Sequence, residues 1–160
     1  MRVGLGFDVH PFDSARDLVL GGVLVPDSPG LAGHSDADVV SHALADALLG
    51  AAGLGDLGSM FPPTEAWRDA SSLAILVSSA AAARDAGWEL ANADVTVIAE
   101  RPRLAPYRAA MSARVAEAVG VEPALVSIKA TTTDGLGFTG RGEGIAAIAV
   151  VLLKSPTSAF

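Results

Sequence analysis

The chain has 160 residues, of which 51% are hydrophobic and 18% are charged, so it is long enough for one globular domain with a substantial core. We predict that domain over residues 1–156, with 157–160 as a C-terminal tail. The absence of cysteine excludes disulfides, thiolate nucleophiles and cysteine-based metal sites, and a net charge of -7 argues against nucleic-acid binding. No apolar run is long enough for a membrane span, and no signal or transit peptide precedes the first strand pattern, which predicts a cytoplasmic protein without membrane contact.

The first part of the chain changes from strand-like to helical patterns. Residues 2–9 have the composition of a strand, and residues 17–26 predict a short hairpin that turns at Gly21-Gly22. Residues 37–52 carry apolar side chains at spacings of three and four, which predicts an amphipathic helix. Residues 53–63 are rich in glycine and proline and are predicted to be irregular.

The rest of the chain continues this alternation. One helix is predicted from about Ser71 to Ala86, before Gly87, and another over residues 105–119, before Gly120. Three strands are predicted, at residues 94–99, 126–130 and 144–153.

Strands interleaved with helices predict a single α+β domain, mainly a four-stranded sheet covered by helices on one face, plus the short hairpin. The segment from Ile145 to Leu153 is apolar on both alternating faces. Part of the sheet is therefore predicted to pack against other subunits. A monomer whose last strand is central and covered by its own helices is the alternative.

Asp8, His10 and His42 are candidate metal ligands. Residues two apart in a strand point to the same face, so Asp8 and His10 can share one ion. Two histidines and one carboxylate form a ligand set that catalytic zinc uses, with a coordination position left open. In the alternative interpretation, Asp8 ends a strand, His10 begins a turn before Pro11, and His42 is a core histidine.

The residues around the start of the first predicted helix could hold a phosphate. Free backbone N–H groups and the helix dipole favour an anion there, within reach of His34, although ordinary capping by Ser35 or Asp36 needs no ligand. Along the helix, Asp38 and Asp46 lie four residues before and after His42. Either carboxylate could orient the imidazole, and a solvated acidic face is the alternative.

Two further segments have compositions that suit nucleotides. Residues 129–144 combine hydroxyls, one aspartate, cations and several glycines, which allow a backbone to approach phosphates closely. Residues 100–106 follow a strand and could present backbone groups to a base, or Arg103 to a phosphate. An ordinary glycine-rich loop is the alternative for residues 129–144, which match neither a Walker A nor a dinucleotide-binding motif, and a surface turn with solvated arginines is the alternative for residues 100–106.

Three segments follow one another along the chain: Gly6-Phe7-Asp8-Val9-His10, then His34-Ser35-Asp36 with His42 and residues 46–50, and finally residues 131–144. With these segments in this order, the sequence resembles the 2-C-methyl-D-erythritol 2,4-cyclodiphosphate synthase family over nearly its whole length. The resemblance implies a homotrimer with its sheets packed inward, active sites between subunits, Zn²⁺, and a second ion, Mg²⁺ or Mn²⁺. It also implies a metal-dependent phosphorus-oxygen lyase of non-mevalonate isoprenoid synthesis. Such an enzyme converts 4-diphosphocytidyl-2-C-methyl-D-erythritol 2-phosphate to the cyclic diphosphate and CMP.

The resemblance also assigns roles to individual residues. It implies Asp8, His10 and His42 as zinc ligands, His34 and Thr132 as groups that stabilise the transition state, and Asp134 as the ligand of the second metal. The implied substrate contacts, with residues 99–105 cradling the cytosine, are Asp8, Val9, His10, His34, Ser35, Asp56, Leu57, Gly58, Phe61, Ala99, Glu100, Arg101, Pro102, Arg103, Leu104, Ala105, Thr131, Thr132, Thr133, Asp134, Phe138 and Arg141.

Two positions depart from the family pattern. Asp134 stands where glutamate is common, and Pro63 stands where aspartate is more typical, so the Pro63 side chain offers no polar group to the substrate. The implied reaction needs no activated serine or cysteine, because an ionised phosphate is the nucleophile. A zinc-containing trimer that binds the nucleotide or an isoprenoid diphosphate without turnover, and a zinc phosphohydrolase that releases a linear product, are the other hypotheses.

Overall fold

The computed structural model describes residues 1–62, 64–68 and 70–156. Its strands are β1 Arg2–Leu20, β2 Val23–Leu31, β3 Glu89–Ile98, β4 Val126–Thr131 and β5 Gly144–Lys154. Its α-helices are α1 Val39–Ala52, α2 Leu57–Met60, α3 Ser72–Asp85, α4 Arg108–Val119 and α5 Gly137–Gly140. Single turns of 3-10 helix lie at Glu65–Trp67 and Pro123–Leu125. Each described helix is too short or too polar to cross a bilayer.

The strands form one sheet in the order β2-β1-β5-β3-β4. β1 and β3 run antiparallel to the central β5, and β4 joins β3 in parallel after the crossover through α4. This arrangement confirms a single α+β domain, but the predicted count of four strands is wrong, because the described residues form five.

The miscount arises from β1, which the sequence divides into a strand and a separate hairpin. β1 is 19 residues long; its first part, through Pro11, pairs with β5, and its second part, from Phe12, pairs with β2. Pro11 does not end the strand, because it occupies the last pair of the β1–β5 ladder, where its missing N–H removes little. The hairpin turn lies at the predicted Gly21-Gly22, both in the left-handed region.

The helix α1 lies directly on β1 and β5, and two glycines allow this close approach. A Cβ atom on Gly4 would lie 2.0 Å from the Ala47 carbonyl oxygen, and one on Gly6 would lie 1.9 Å from the Ala43 carbonyl oxygen. A real Cβ cannot tolerate such contacts. The two glycines therefore set the distance between the strand that carries Asp8 and the helix that carries His42.

Asp38, rather than Ser35 or Asp36, caps α1. Its Oδ1 accepts hydrogen bonds from the backbone of Val40 and Ser41, and its carboxylate also accepts from the N–H groups of Gly21 and Gly22. Asp38 is fully buried, so one carboxylate joins the hairpin turn to the start of α1.

The predicted later helices are confirmed with adjusted bounds. α3 begins at Ser72 rather than Ser71, and α4 begins three residues later than predicted. α4 ends at Gly120, as predicted, in the left-handed conformation with φ of 73°. Residues 53–63, predicted to be irregular, contain the short helix α2, and the glycine-rich residues 129–144 contain the short helix α5.

The face of the sheet opposite α1 carries exposed apolar side chains. On β1, Val3, Leu5 and Phe7 are 70%, 67% and 52% exposed, and Val9 continues the row. On β5, the alternating pattern leaves Val150 exposed and Ile148 and Leu152 half-buried on this face. β5 is indeed central, but α1 packs only against its other face. The described residues of one chain thus leave this surface uncovered.

Candidate functional site

Asp8, His10 and His42 converge at the contact between β1 and α1. Asp8 Oδ2 lies 3.1 Å from both His10 Nε2 and His42 Nδ1, and one ligand atom from each residue lies within 4.8 Å of the others. The two side chains on β1 share a face because they are two residues apart, and the buried His42 projects from the first turns of α1. Two imidazole nitrogens and one carboxylate oxygen form a donor set that suits zinc.

The electrostatics of this cluster favour the charged carboxylate. Burial raises the pKa of Asp8, but hydrogen bonds and charge interactions with His10 and His42 outweigh burial and hold that pKa well below its usual value of 3.8. Burial lowers the pKa of His10, but its hydrogen bond and charge interaction with Asp8 outweigh burial, so the pKa is raised above 6.5. The Asp8 carboxylate is thus negatively charged and can bind a cation.

In both histidines, the ring nitrogen that faces away from Asp8 has a hydrogen-bond partner of its own. His10 Nδ1 lies 2.6 Å from the Ala32 carbonyl oxygen, and a carbonyl can only accept, so this nitrogen carries a proton. The charged ring also donates from Nε2 to Asp8, and the neutral ring has a lone pair there instead. His42 Nε2 contacts the hydroxyls of Ser72 and Ser35. Such contacts orient the rings of metal-ligating histidines.

The prediction that Asp38 or Asp46 orients His42 is wrong. The Asp38 carboxylate is engaged by the hairpin turn and the start of α1, and Asp46 Oδ1 accepts a hydrogen bond from the Leu57 backbone N–H at 3.1 Å. Positions four residues apart share a helix face, but α1 is buried around most of its circumference. Each carboxylate therefore finds a closer partner than the imidazole.

Several N–H groups at the start of α1 already have acceptors within the chain. Asp38 accepts from the first N–H groups of the helix, Ser35 Oγ accepts from Ala37 N–H, and Asp36 N–H donates to the Ala70 carbonyl. The cap is Asp38 rather than the expected Ser35 or Asp36, and phosphate binding at this point of the chain stays a prediction.

A cavity of about 260 Å³ opens in front of the three candidate metal ligands. It is lined by Asp8, His10, His34, Ser35, His42, Leu57, Gly58, Phe61, Trp67 and Ile75. His34 Nε2 lies 2.6 Å from the Thr64 carbonyl oxygen, and Arg16 donates to the carbonyls of Gly33 and Ser35, which fixes the loop that carries His34. Most of the substrate contacts predicted before residue 62 therefore meet at one cavity.

Two predicted contacts from this region are placed differently. Asp56 does not line the cavity; its Oδ1 caps α2 by accepting from Ser59 N and Oγ at 2.7 and 2.6 Å. The Val9 side chain lies on the open face of β1, away from Asp8. Pro63 lies outside the described residues.

A second cavity of about 490 Å³ lies at the ends of β3 and β4. It is lined by the predicted cytosine-binding residues 99–105, with Arg108, Ala130, Thr131 and Thr132. Glu100 turns its carboxylate to the neighbouring loop, where Oε1 accepts from the backbone of Thr133 at 2.8 Å and of Gly135 at 3.4 Å. Residues 99–105 thus line a cavity, while the Glu100 carboxylate itself holds the neighbouring loop.

The loop held by Glu100 carries Asp134, which is exposed and has a φ of 53°. Thr132 Oγ1 donates to Asp134 Oδ1 at 3.3 Å. Phe138 is exposed on α5, and Arg141, paired with Glu143, lines a third cavity together with Arg101 and Arg103. The cavity at the candidate metal ligands and the cavity at residues 99–105 have no lining residue in common. One chain therefore keeps the candidate metal ligands and the candidate nucleotide pocket apart.

Comparison with known proteins identifies the family. The YgbB family matches residues 1–154. The 2-C-methyl-D-erythritol 2,4-cyclodiphosphate synthase of Moorella thermoacetica is 60% identical over 154 residues, which are 96% of this chain and 94% of that protein. The chain belongs to the YgbB family.

Solved structures of similar proteins have the same fold. The bifunctional IspDF of Campylobacter jejuni has a TM-score of 0.93 and 42% identity, covering 96% of this chain and 42% of that longer chain. A 2C-methyl-D-erythritol-2,4-cyclodiphosphate synthase in its CDP-bound form has a TM-score of 0.87 and 34% identity, covering 96% of this chain and 100% of the other.

In this YgbB-family chain, sequence reasoning missed Ser72 and Arg16, which contact His42 and the loop of His34. Ser72 begins α3, where a serine is normally interpreted as part of a helix start. No periodicity connects it to His42, which is 30 residues earlier. Only the packing of α3 against α1 brings the hydroxyl to the imidazole.

Proposed function

We propose that this chain is a 2-C-methyl-D-erythritol 2,4-cyclodiphosphate synthase that converts 4-diphosphocytidyl-2-C-methyl-D-erythritol 2-phosphate to the cyclic diphosphate and CMP. The observation that carries this proposal is the convergence of Asp8, His10 and His42 at the base of a cavity. Similarity to proteins named as this synthase over nearly their full length supports it. We place the synthase domain at residues 1–156, followed by a short tail, in a cytoplasmic protein.

We further propose that Asp8, His10 and His42 hold Zn²⁺ and that Asp134 holds Mg²⁺ or Mn²⁺. The zinc assignment is supported by the donor set and by the depressed pKa of Asp8, which keeps the carboxylate anionic. Divalent ions of this kind act as Lewis acids that neutralise charge on phosphate oxygens. Asp134 is exposed on a loop held by Glu100, and its shorter side chain must reach an ion that glutamate commonly holds in the family.

The reaction requires the chain to hold two anionic groups together. The 2-phosphate oxygen forms a bond to the β-phosphorus while the bond from that phosphorus to the CMP oxygen breaks, so CMP leaves with the electron pair. Two unit anions about 4 Å apart repel by roughly 4 kcal/mol at an effective dielectric near 20. Holding them in line also removes much of the entropic barrier of the intramolecular attack.

Residues around the first cavity can meet these demands. His34, fixed through Nε2 by the Thr64 carbonyl, would stabilise charge on the reacting phosphate, and Leu57, Gly58 and Phe61 would enclose the erythritol portion. Thr132 would act from the second cavity, where residues 99–105 receive the cytosine. Preorganised dipoles aimed at developing charge are an effective source of rate enhancement.

We propose that the working form is a homotrimer in which the sheets face inward and each active site lies between two copies. The exposed apolar row Val3, Leu5 and Phe7 supports assembly, because monomers rarely leave such a face open. The two cavities are separate within one chain, but the diphosphate of one substrate must reach both of them. This separation also supports active sites that two copies of the chain share.

Phosphorus NMR of the purified chain with the cytidyl substrate, zinc and magnesium tests the activity. Joint appearance of the cyclic diphosphate and CMP supports the synthase, whereas a linear product indicates a phosphohydrolase and unchanged substrate in a zinc-loaded trimer indicates a binding protein. His42→Ala should lose zinc and turnover while remaining folded. Leu5→Asp should shift the sedimentation coefficient to that of a monomer, and an unchanged assembly would refute the proposed interface.

A further inference from the structure

The ring nitrogen of His42 that points away from Asp8 begins a buried chain of hydrogen bonds. His42 Nε2 lies 2.9 Å from Ser72 Oγ and 3.1 Å from Ser35 Oγ, and all three residues are buried. The Ser72 hydroxyl donates in turn to Asp36 Oδ1, in the loop before α1. His42 is thereby joined through the first residue of α3 to a carboxylate.

One arrangement of the protons satisfies every contact in this chain, including the 3.1 Å contact in which Ser35 Oγ donates to Ser72 Oγ. A carboxylate only accepts hydrogen bonds, so the single hydroxyl proton of Ser72 is directed to Asp36. Ser72 Oγ has only lone pairs left for His42, so the contact requires a proton on His42 Nε2. A lone pair on Nε2 would instead face another lone pair at 2.9 Å in a buried site.

A neutral imidazole carries one proton, so a proton on Nε2 leaves His42 Nδ1 with a lone pair. That lone pair points toward Asp8 Oδ2, 3.1 Å away, and His10 Nε2 presents its own lone pair to the same oxygen. With both rings neutral, three electron-rich atoms then converge without a proton between them; the hydrogen bonds to Asp8 described above need a second proton on each ring. Such a point is suited to a cation.

We propose that Ser72 and Asp36 are positioning residues that hold His42 in the Nε2–H tautomer and so prepare its Nδ1 as a metal ligand. This inference rests on the metal-binding function proposed above for Asp8, His10 and His42. Hydrogen-bond partners of metal-ligating histidines fix the tautomer and ring orientation, and their removal typically weakens metal affinity about 10- to 100-fold.

Without the Ser72 hydroxyl, His42 can adopt the other tautomer, which carries its proton on Nδ1. Ser35 Oγ, 3.1 Å from Nε2, can then donate its proton to that nitrogen, and a proton on Nδ1 can be donated to the Asp8 carboxylate. The metal-free site would be satisfied in that state, but Nδ1 would no longer be a ligand. Ser72→Ala should therefore shift His42 toward the Nδ1–H tautomer.

Four variants isolate the effect. Ser72→Ala and Asp36→Ala break the chain, while Asp36→Asn retains an oxygen that can accept from Ser72 and should preserve it. Ser79→Ala is the matched control, because Ser79 is also a fully buried serine of α3, and its hydroxyl donates only to the Ile75 carbonyl at 2.9 Å. Tm values for all variants identify any that do not fold.

The first readout is the tautomer of His42 in the metal-free chain, from long-range ¹⁵N–¹H correlation spectra at about pH 9, where a free imidazole is neutral. The wild type, Asp36→Asn and Ser79→Ala should give the Nε2–H pattern, and Ser72→Ala and Asp36→Ala should give a mixed or Nδ1–H pattern. An unchanged Nε2–H pattern in folded Ser72→Ala or Asp36→Ala would overturn the inference.

The second readout is the affinity for Zn²⁺, measured by competition with a chromophoric chelator. We expect affinity to fall about 10- to 100-fold in Ser72→Ala and Asp36→Ala and to stay near the wild-type value in Asp36→Asn and Ser79→Ala. Equal affinities in all variants would overturn the inference. A wild type that binds no zinc would refute the proposed metal site itself, whereas the tautomer measurement does not depend on added metal. If Ser72→Ala does not fold, Asp36→Ala tests the same placement of the proton on His42 Nε2, because Asp36 is only half-buried.

Discussion

Gly6→Ala tests whether the close contact between β1 and α1 sets the geometry of the metal ligands. A Cβ on Gly6 would lie 1.9 Å from the Ala43 carbonyl oxygen, and real Cβ atoms essentially never approach other atoms closer than 3.0 Å. The helix must therefore retreat by at least about 1.1 Å, the difference between these distances. The clash is with helix backbone, which cannot move aside as a side chain can.

This retreat has a cost in stability and in metal binding. Overpacking of a close-packed core costs about 1–3 kcal/mol, and we expect the upper end because α1 is packed between the sheet and α3. His42 moves with α1 while Asp8 stays on β1, and metal sites tolerate ligand displacements of only about 0.2 Å. Zinc affinity should therefore fall at least about tenfold, which corresponds to about 1.4 kcal/mol.

Gly50→Ala is the matched control, because Gly50 lies on the exposed side of α1 and a Cβ there would meet nothing within 4 Å. Relative to glycine, alanine should stabilise the helix by about 0.5–1 kcal/mol. Urea unfolding of all three proteins at one protein concentration gives the free energies, and chelator competition gives zinc affinities. Wild-type stability and zinc affinity in Gly6→Ala would refute the reasoning.

Three further predictions concern other contacts. Asp38→Ala removes the acceptor shared by the hairpin turn and the start of α1 and should lower the free energy of urea unfolding by about 3 kcal/mol; a loss below about 1 kcal/mol would contradict this role. Because the pKa of His10 is raised above 6.5, this ring of the metal-free chain holds a second proton below that pKa, and zinc must displace it. Zinc affinity should thus rise about tenfold per pH unit below that raised pKa and level off above it, as chelator competition at several pH values would measure, and a pH-independent affinity would contradict the assignment. Glu100→Ala releases the N–H groups of Thr133 and Gly135 and should raise the Mg²⁺ concentration for half-maximal turnover without changing zinc affinity, whereas an unchanged Mg²⁺ titration would argue against that support.

The sequence by itself predicted the alternating elements and most of their bounds, because apolar periodicity and helix-ending glycines such as Gly120 are local signals. It also predicted that Asp8 and His10 share a face, since that follows from strand geometry alone. The ligand chemistry of zinc grouped His42 with them, the family resemblance gave all three the same role, and the apolar pattern of β5 indicated a face without a cover of its own.

Only the tertiary structure decided which groups hold these ligands. Asp38 rather than Ser35 or Asp36 caps α1, because the turn at Gly21-Gly22 packs beside it and supplies further donors. Ser72 reaches His42 because α3 packs against α1, a contact between residues 30 positions apart. Local patterns determine which segments are helices and strands, but hydrogen-bond partners depend on which segments meet, and that is a property of the packed chain.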